Sequence, residues 1–135
     1  MSKAYIFPVS SRNQSDLDEL ESKKQVYWYT DKQVSFNEGD TILIYVSGEL
    51  RKIKYICEVV GVYEKGKEFE LRLVNVIDDE TASLLDYKNL ENNGAKNRIQ
   101  GRLILNNNPQ LCSYISKVLL DNGYINKPLC DETKN

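Results

Sequence analysis

Two apolar stretches separated by a short turn decide the fold: residues 41–47 read TILIYVS, and residues 53–63 read IKYICEVVGVY. Both are rich in β-branched and aromatic residues, which favour strands. In the second stretch apolar residues occupy both faces, which is typical of a strand inside a closed or nearly closed sheet. The two stretches therefore predict a central pair of strands, with Gly61 as a bend in the second.

Further strands are predicted on both sides of this pair. Residues 4–9 (AYIFPV) and 25–30 (QVYWYT) precede it, residues 68–77 (EFELRLVNVI) follow it, and residues 102–105 form a last short strand. In EFELRLVNVI the inward set of apolar residues changes near Val74, which a β-bulge or a coiled strand would produce.

Three helices are predicted beside these strands. Ser15 can cap a short helix over residues 16–21, and the spacing of apolar residues between positions 84 and 90 predicts a second helix of two to three turns. Residues 109–121 form an amphipathic helix with Pro109 in its first turn. Strands with flanking helices predict the fold class α+β, built on a small barrel.

The chain has 135 residues, of which 41% are apolar and 28% charged, so we expect one folded domain. This domain is predicted to span residues 1–125, followed by a frayed C-terminal tail over residues 126–135. Lys and Arg number 18 against 20 Asp and Glu, which excludes the broad cationic surface of a protein that coats nucleic acid non-specifically.

Histidine is absent, which removes Ser-His-Asp and Cys-His catalysis, His-bound zinc and a histidine general base. The cysteines Cys57, Cys112 and Cys130 lack CxxC spacing and are odd in number, which favours reduced thiols over a disulfide framework. We expect no cofactor and no structural metal. The N-terminus does not resemble a signal peptide and no apolar run approaches a membrane span, so we expect cytoplasmic localisation and no membrane partner.

Aromatic side chains are concentrated in the chain. There are nine tyrosines and a single tryptophan, which lies in the segment Tyr27-Trp28-Tyr29. Aromatic faces stack on nucleobases, at about 1–3 kcal/mol per base. The alternative is that these rings only pack the sheet or the barrel interior, as aromatic residues in strands usually do.

Charge is distributed unevenly. Residues 87–117 contain five cations and one acid, whereas residues 16–21 carry four acids and no base. The turn residues Arg51 and Lys52, with Lys54, form a further cationic spot. Such runs can hold phosphates, although they are more often solvated surface.

Little in the sequence indicates catalysis. P-loop, GxGxxG and GxSxG patterns are absent. The acidic run Asp78-Asp79-Glu80 could bind a divalent cation, but adjacent acids usually form a solvated turn. We therefore expect that the protein is not an enzyme.

The order of these features resembles the EVE domain of the PUA-like superfamily, which is related to YTH and ASCH domains. The resemblance rests on a first strand ending at Ser10, on Trp28, on the stretch GDTILIYVS that begins at Gly39, and on the strand ICEVVGVY. A late Arg-Leu segment that begins at Arg102 adds to it. It implies a pseudobarrel of five to six mostly antiparallel strands with flanking helices.

The resemblance also implies a non-catalytic module whose pocket accepts a methylated or hydroxymethylated base flipped out of DNA or RNA. Such modules serve in restriction or defence, where a nuclease or another effector would here be a separate chain. The predicted slot for the base is formed by Trp28 with Tyr29 or Tyr45. Polar contacts at its mouth come from Ser10, Ser11 and Ser47, and flanking phosphates are held by Lys96, Arg98 and Arg102.

Two other functions stay open at this point. The first is a module that binds a protein or a small nucleotide-like ligand, which the acidic sequence pI of about 5.3 favours. The second is an enzyme that acts on nucleotides through the acidic run.

Overall fold

Six strands form one sheet in the computed structural model, which describes residues 2–96, 99 and 101–130. The strands are β1 (Ala4–Ser10), β2 (Gln25–Tyr29), β3 (Thr41–Ser47), β4 (Lys52–Tyr63), β5 (Glu68–Val76) and β6 (Leu103–Ile104). Their order in the sheet is β2-β5-β4-β3-β1-β6. The pair predicted as central, β3 and β4, is antiparallel and lies in the middle of the sheet.

The sheet is mostly antiparallel and strongly curled. Only the pair β1 and β3 is parallel. Four strand spacings separate β1 from β2, which in a flat sheet would be about 19 Å. The ring centroids of Phe7 on β1 and Trp28 on β2 are nevertheless only 6.4 Å apart. The predicted α+β fold is confirmed, and its sheet stays open in hydrogen bonding between β1 and β2.

Each face of the sheet packs into its own core, which explains why β3 and β4 are apolar on both sides. Inside the curl lies the inner core, which includes Leu20, Val26, Ile42, Ile44, Phe36, Phe69 and Leu71. On the opposite face lies the outer core, which includes Ile6, Leu43, Tyr45, Ile53, Leu111 and Ile115. Along β3, Ile42, Ile44 and Val46 face the inner core, whereas Leu43 and Tyr45 face the outer core.

Bulges bend the two longest strands where the sequence pattern changes. Ile56 of β4 pairs with Asn75 of β5, but the next residue, Cys57, pairs with Leu73, so Val74 is left without a partner. The change in alternation predicted near Val74 is therefore a β-bulge. A second irregularity follows Val59 on β4, beside the predicted bend at Gly61.

Four α-helices flank the sheet: α1 (Gln14–Lys23), α2 (Asp79–Ser83), α3 (Tyr87–Asn92) and α4 (Pro109–Asp121). The prediction for α4 is confirmed, and α1 is longer than predicted. The prediction of a single helix between residues 84 and 90 is wrong, because the chain leaves the helical conformation between α2 and α3. The side chain of Asp86 accepts a hydrogen bond from the Asn89 backbone N–H and so caps the start of α3. Within the described residues, no helix combines the length and the apolar character needed to cross a membrane.

The cysteine prediction is wrong for two of the three residues. Cys112 on α4 and Cys130 form a disulfide with Cα atoms 6.5 Å apart. Cys57 is free and buried, and burial raises its thiol pKa to about 12. Residues 126–130, predicted to fray, are held against α4 because Cys130 is bonded there and the Leu129 N–H donates to the Ser116 hydroxyl. Residues 131–135 of the predicted tail lie outside the described residues.

Thiol counting tests the disulfide. Without reductant, the folded protein should show no thiol that reacts with a chromogenic disulfide reagent, because Cys57 is buried and its thiol is protonated at neutral pH. Unfolding in urea should expose one thiol, and reduction before unfolding should expose three. A double Cys112→Ser, Cys130→Ser variant should give one thiol in urea with or without reductant. Three thiols in unreduced, unfolded wild-type protein would contradict the disulfide.

Candidate functional site

Two cavities lie at the C-terminal end of β1, one on each side of the strand. The first, called here the Trp28 cavity, has a volume of about 340 Å³, and its walls include Phe7, Trp28, Tyr29 and Phe69. The second, called here the Arg51 cavity, has a volume of about 560 Å³, and its walls include Tyr45, Ser47, Arg51, Tyr87 and Ile99. Pro8 and Ser10 line both, so the end of β1 is the partition between them.

The wall of the Trp28 cavity is built from aromatic rings of three strands. Trp28 on β2 pairs directly with Phe69 on β5, and the indole meets the Phe69 ring edge to face at a centroid distance of 6.4 Å. Its other neighbour, Phe7, lies nearly parallel to it, with an interplanar angle of 28°. The Nε1–H of Trp28 is buried and has no hydrogen-bond partner among the described residues. The half-buried indole therefore packs against the inner core and makes no hydrogen bond among the described residues.

Polar side chains from the start of α1 line the mouth of the Trp28 cavity. Asn13 and Asp16 are exposed, and their side chains make no hydrogen bond or ion pair within the described part of the chain. Ser10 accepts a hydrogen bond from the Arg12 backbone N–H at 3.1 Å. An amide, a carboxylate and a hydroxyl thus border an apolar aromatic wall, which is how sites for flat polar ligands are commonly built.

The Arg51 cavity combines aromatic rings, hydroxyl groups and a positive charge. Arg51 has a left-handed backbone with φ of 50°, and its Nε–H donates to the Gly48 carbonyl at 3.1 Å. This contact orients the guanidinium at the cavity. Burial raises the pKa of the Tyr45 hydroxyl, and the nearby charge of Arg51 partly opposes that rise. The electrostatic effect of Arg51 therefore extends to the cavity wall.

The Arg51 cavity continues into an open groove, called here the cationic groove. The two share Gly48, Arg51 and Tyr87, and the groove has a volume of about 850 Å³. Among the described residues, four cations and two acids line this groove. The cations are Arg12, Arg51, Lys52 and Lys88, and the acids are Glu49 and Asp86.

The structure divides the predicted base slot between the two cavities. Trp28 and Tyr29 line the Trp28 cavity, whereas Tyr45 and Ser47 line the Arg51 cavity. Trp28 packs against the inner core and Tyr45 belongs to the outer core, so they lie on opposite faces of the sheet and cannot enclose one ligand. Ser10, Trp28 and Tyr29 come together as predicted.

The other predicted residues lie apart from the Trp28 cavity. Ser11 lines the cationic groove. Lys96 lines a separate groove near the start of α4. The Arg102 guanidinium donates to the Gln33 carbonyl at 3.2 Å and lines neither cavity. Arg98 lies outside the described residues.

Sequence analysis missed several residues that line the two cavities. The sequence places Asp16 in an acidic helix and gives no signal for Asn13. Tyr87 was assigned only to the apolar side of a helix. Arg51 belongs in the sequence to a cationic turn with Lys52 and Lys54, and nothing in that turn indicates that it shares a cavity with Tyr45 and Ser47.

A carboxylate supports the outer side of β2 next to the Trp28 cavity. Glu70 is only 5% exposed, and it accepts hydrogen bonds from the Tyr63 hydroxyl at 2.9 Å and from the Gln25 amide. Hydrogen bonds from Tyr63, Gln25 and Tyr27 lower the pKa of Glu70. A side chain at Gly61 would clash with the Tyr63 ring, so glycine allows that ring to reach Glu70. The cluster holds Tyr27, the neighbour of Trp28.

The acidic run considered as a metal site has a structural role instead. Asp78 caps α2 by accepting from the Thr81 backbone N–H at 2.7 Å, and it also accepts from the Tyr124 hydroxyl. Asp79 forms an ion pair of 2.7 Å with Lys54. Within residues 2–96, 99 and 101–130, no group of three or more Cys, Asp or Glu residues could hold a metal ion.

The hydrogen bonds of Glu70 to Tyr63 and Gln25 should make the stability of the protein depend on pH in acid. Because the pKa of Glu70 in the folded protein lies below its ordinary value of 4.5, the unfolded state binds more protons near that pH. The stabilisation by Glu70 is thus present above about pH 4.5 and is lost as the pH falls through the folded-state value. Urea denaturation should show Glu70→Gln to be less stable than wild type at neutral pH, with a smaller difference at about pH 3.

Glu49→Gln is the matched control, because Glu49 is exposed and forms no ion pair among the described residues. Its free energy of unfolding should follow that of wild type at both pH values. A Glu70→Gln difference that stays constant with pH would contradict the assigned role.

Comparisons with known proteins bear on the fold. The chain matches no family model, and no curated protein matches its sequence. Two solved structures match over 76% of this chain with a TM-score of 0.51. One is the ASCH protein from Zymomonas mobilis, at 9% identity over 87% of that chain. The other is a tyrosine-to-phenylalanine variant of the same Zymomonas mobilis protein, at 7% identity over 89% of that chain.

At this level of identity the likeness concerns the fold alone. It does not single out the EVE family that the sequence resembles. The chain therefore has an α+β fold similar to that of the Zymomonas mobilis ASCH protein.

Proposed function

We propose that this protein is a non-catalytic nucleic-acid-binding module, of the EVE type within the PUA-like superfamily, that accepts a methylated or hydroxymethylated base flipped into the Trp28 cavity. The observation that carries the proposal is the position of the only tryptophan. Trp28 lines an open cavity of about 340 Å³ instead of being enclosed among aliphatic side chains. The indole is half-buried, so part of its surface can face this cavity.

The energetics support a flipped base. Extrusion of a base from its stack costs a few kcal/mol, which a snug pocket has to repay. Stacking on one aromatic ring contributes about 1–3 kcal/mol. Trp28 and Phe7 are half-buried and line one cavity, so contacts with both rings could offset that cost.

The polar mouth supplies the groups that recognise the edge of a base. The Asp16 carboxylate can accept from an exocyclic amine, the Asn13 amide can both donate and accept, and the Ser10 hydroxyl can do the same. None of these side chains is engaged in an ion pair within the described residues. They are free to bond a ligand without breaking an internal salt bridge.

Two features of the side chains support a non-catalytic role. The chain contains no histidine, and Asp78 and Asp79 are used for helix capping and an ion pair. The six described strands belong to one sheet that carries both cores. A nuclease or another effector that acted on the bound strand, in restriction or defence, would lie outside this domain.

Fluorescence anisotropy tests the proposal. Labelled DNA and RNA oligonucleotides, single-stranded and duplex, would carry one methylated cytosine, hydroxymethylated cytosine, methylated adenine or no modification. Wild-type protein should prefer one modified oligonucleotide. Trp28→Ala should weaken that complex by about 5- to 150-fold, because one stacking contact of about 1–3 kcal/mol is lost, and the preference for the modified base should shrink.

Two further variants keep this test independent of folding. Trp28→Ala leaves a hole beside Phe69 and is expected to lower stability, so its fold is checked by circular dichroism. Asp16→Asn alters only an exposed side chain at the mouth and should change which base is preferred without changing stability. Tyr114→Ala, on α4, removes an aromatic ring distant from the cavity in the fold and should leave binding unchanged. Failure of every oligonucleotide to bind at low salt would refute the proposal.

A further inference from the structure

We infer that the Arg51 cavity and the cationic groove form a phosphate subsite, which binds the nucleotide phosphates beside a base held in the Trp28 cavity. The inference rests on the proposed function for the identity of the strand, but the subsite is built by different residues on the other face of the sheet. In this proposal the phosphates contact the residues of this subsite instead of Lys96 and Arg102.

The position of the subsite follows from the end of β1. Pro8 and Ser10 belong to the walls of both cavities, so the Arg51 cavity begins where the Trp28 cavity ends. A strand whose base entered the Trp28 cavity would continue around this partition. Its neighbouring phosphates would then lie over Arg51.

The turn between β3 and β4 orients the Arg51 guanidinium so that its terminal nitrogens can bind a phosphate. Gly48 has φ of 94°, and a Cβ at this position would lie 2.3 Å from the Ser11 hydroxyl oxygen, so the close approach of the two segments requires glycine. The Gly48 carbonyl in turn accepts the Arg51 Nε–H. The two terminal nitrogens of the guanidinium have no partner among the described residues, and such a pair of donors matches two phosphate oxygens.

Helix α3 brings the remaining groups to Arg51. The Tyr87 backbone N–H donates to the Arg51 carbonyl at 2.8 Å, and Lys52 forms a β-bridge with Asp86. These contacts place Lys88 on the same groove. Asp86 is occupied as the cap of α3, where its carboxylate accepts two hydrogen bonds from Asn89.

The four cations of the groove form no ion pair within the described residues. Four ion pairs occur in the part of the chain that the structure describes, and their cations are Lys23, Lys54, Arg72 and Lys117. None of them lines the groove. Unpaired cations that converge on one concave surface attract phosphate, and their effect is reduced by salt.

Salt titration of oligonucleotide binding tests the subsite. Arg51→Gln should lower the affinity for modified and unmodified oligonucleotides by the same factor, since a phosphate contact carries no information about the base. It should also reduce the slope of log affinity against log salt concentration by about 0.7 for a single strand or about 0.9 for a duplex. Lys88→Gln should act in the same way, and Lys96→Gln, with the same change in charge, should have little effect.

The pattern of losses separates this inference from the proposed function. Trp28→Ala should reduce the preference for the modified base, whereas Arg51→Gln should leave that preference intact and change the salt slope. Equal effects of Arg51→Gln and Lys96→Gln would show a general charge effect and overturn the subsite. So would an unchanged slope in Arg51→Gln.

A second measurement does not depend on a flipped base. In nitrogen-15 NMR spectra, cytidine monophosphate and inorganic phosphate should shift the signals of the Arg51 Nε–H and the Gly48 backbone N–H, and cytidine should not. Shifts with these two ligands but no oligonucleotide binding would keep the phosphate subsite, make a small phosphate-bearing molecule its ligand and remove the proposed function. No shift with either phosphate-bearing ligand at low salt would overturn the subsite.

Discussion

The approach of Phe7 to Trp28 is the constraint on which the site depends. These rings lie on strands that are four spacings apart in the sheet, so they meet only because the sheet curls. Phe36 and Phe69 fill the space beneath them, with ring centroids 5.2 Å apart and nearly perpendicular planes. Aromatic pairs in this edge-to-face arrangement add stability beyond the burial of their surface. The aromatic cluster therefore joins the two sides of the opening.

The opening between β1 and β2 explains why cavities occur here. Past Ile6, β1 has no partner in β6, since their pairing covers only Tyr5 and Ile6. Pro8 lies in the segment beyond and has no backbone N–H, so it leaves no donor unpaired there. A fully hydrogen-bonded sheet would have closed this gap. An open edge lined by side chains instead provides space on both faces of the same strand end.

The two sides of this strand end differ in charge. The Trp28 cavity has Asp16 at its mouth and aromatic walls, whereas the Arg51 cavity leads into a groove with four cations and two acids. A chain with a net charge of −2 can still bind phosphate through such a local excess. The division of labour proposed for the protein follows from this difference: the acidic, aromatic side recognises a base, and the cationic side holds the backbone.

Local patterns in the sequence determined much of the fold. The apolar runs of β3 and β4, the change of alternation at Val74 and the spacing in α4 are properties of neighbouring residues, so they could be predicted without knowledge of the sheet order. The place of Trp28 on a strand, as a single tryptophan between two tyrosines, is likewise a local property of the sequence.

Tertiary structure alone decided which residues share a cavity. Trp28 and Tyr45 are separated because β2 pairs with β5 and because alternation turns Tyr45 to the outer core. Arg51 meets Tyr87 through a backbone hydrogen bond between segments distant in sequence, and Cys112 meets Cys130 because the C-terminal segment returns to α4. Contacts of this kind depend on how the chain closes on itself, and no periodicity within a single segment records them.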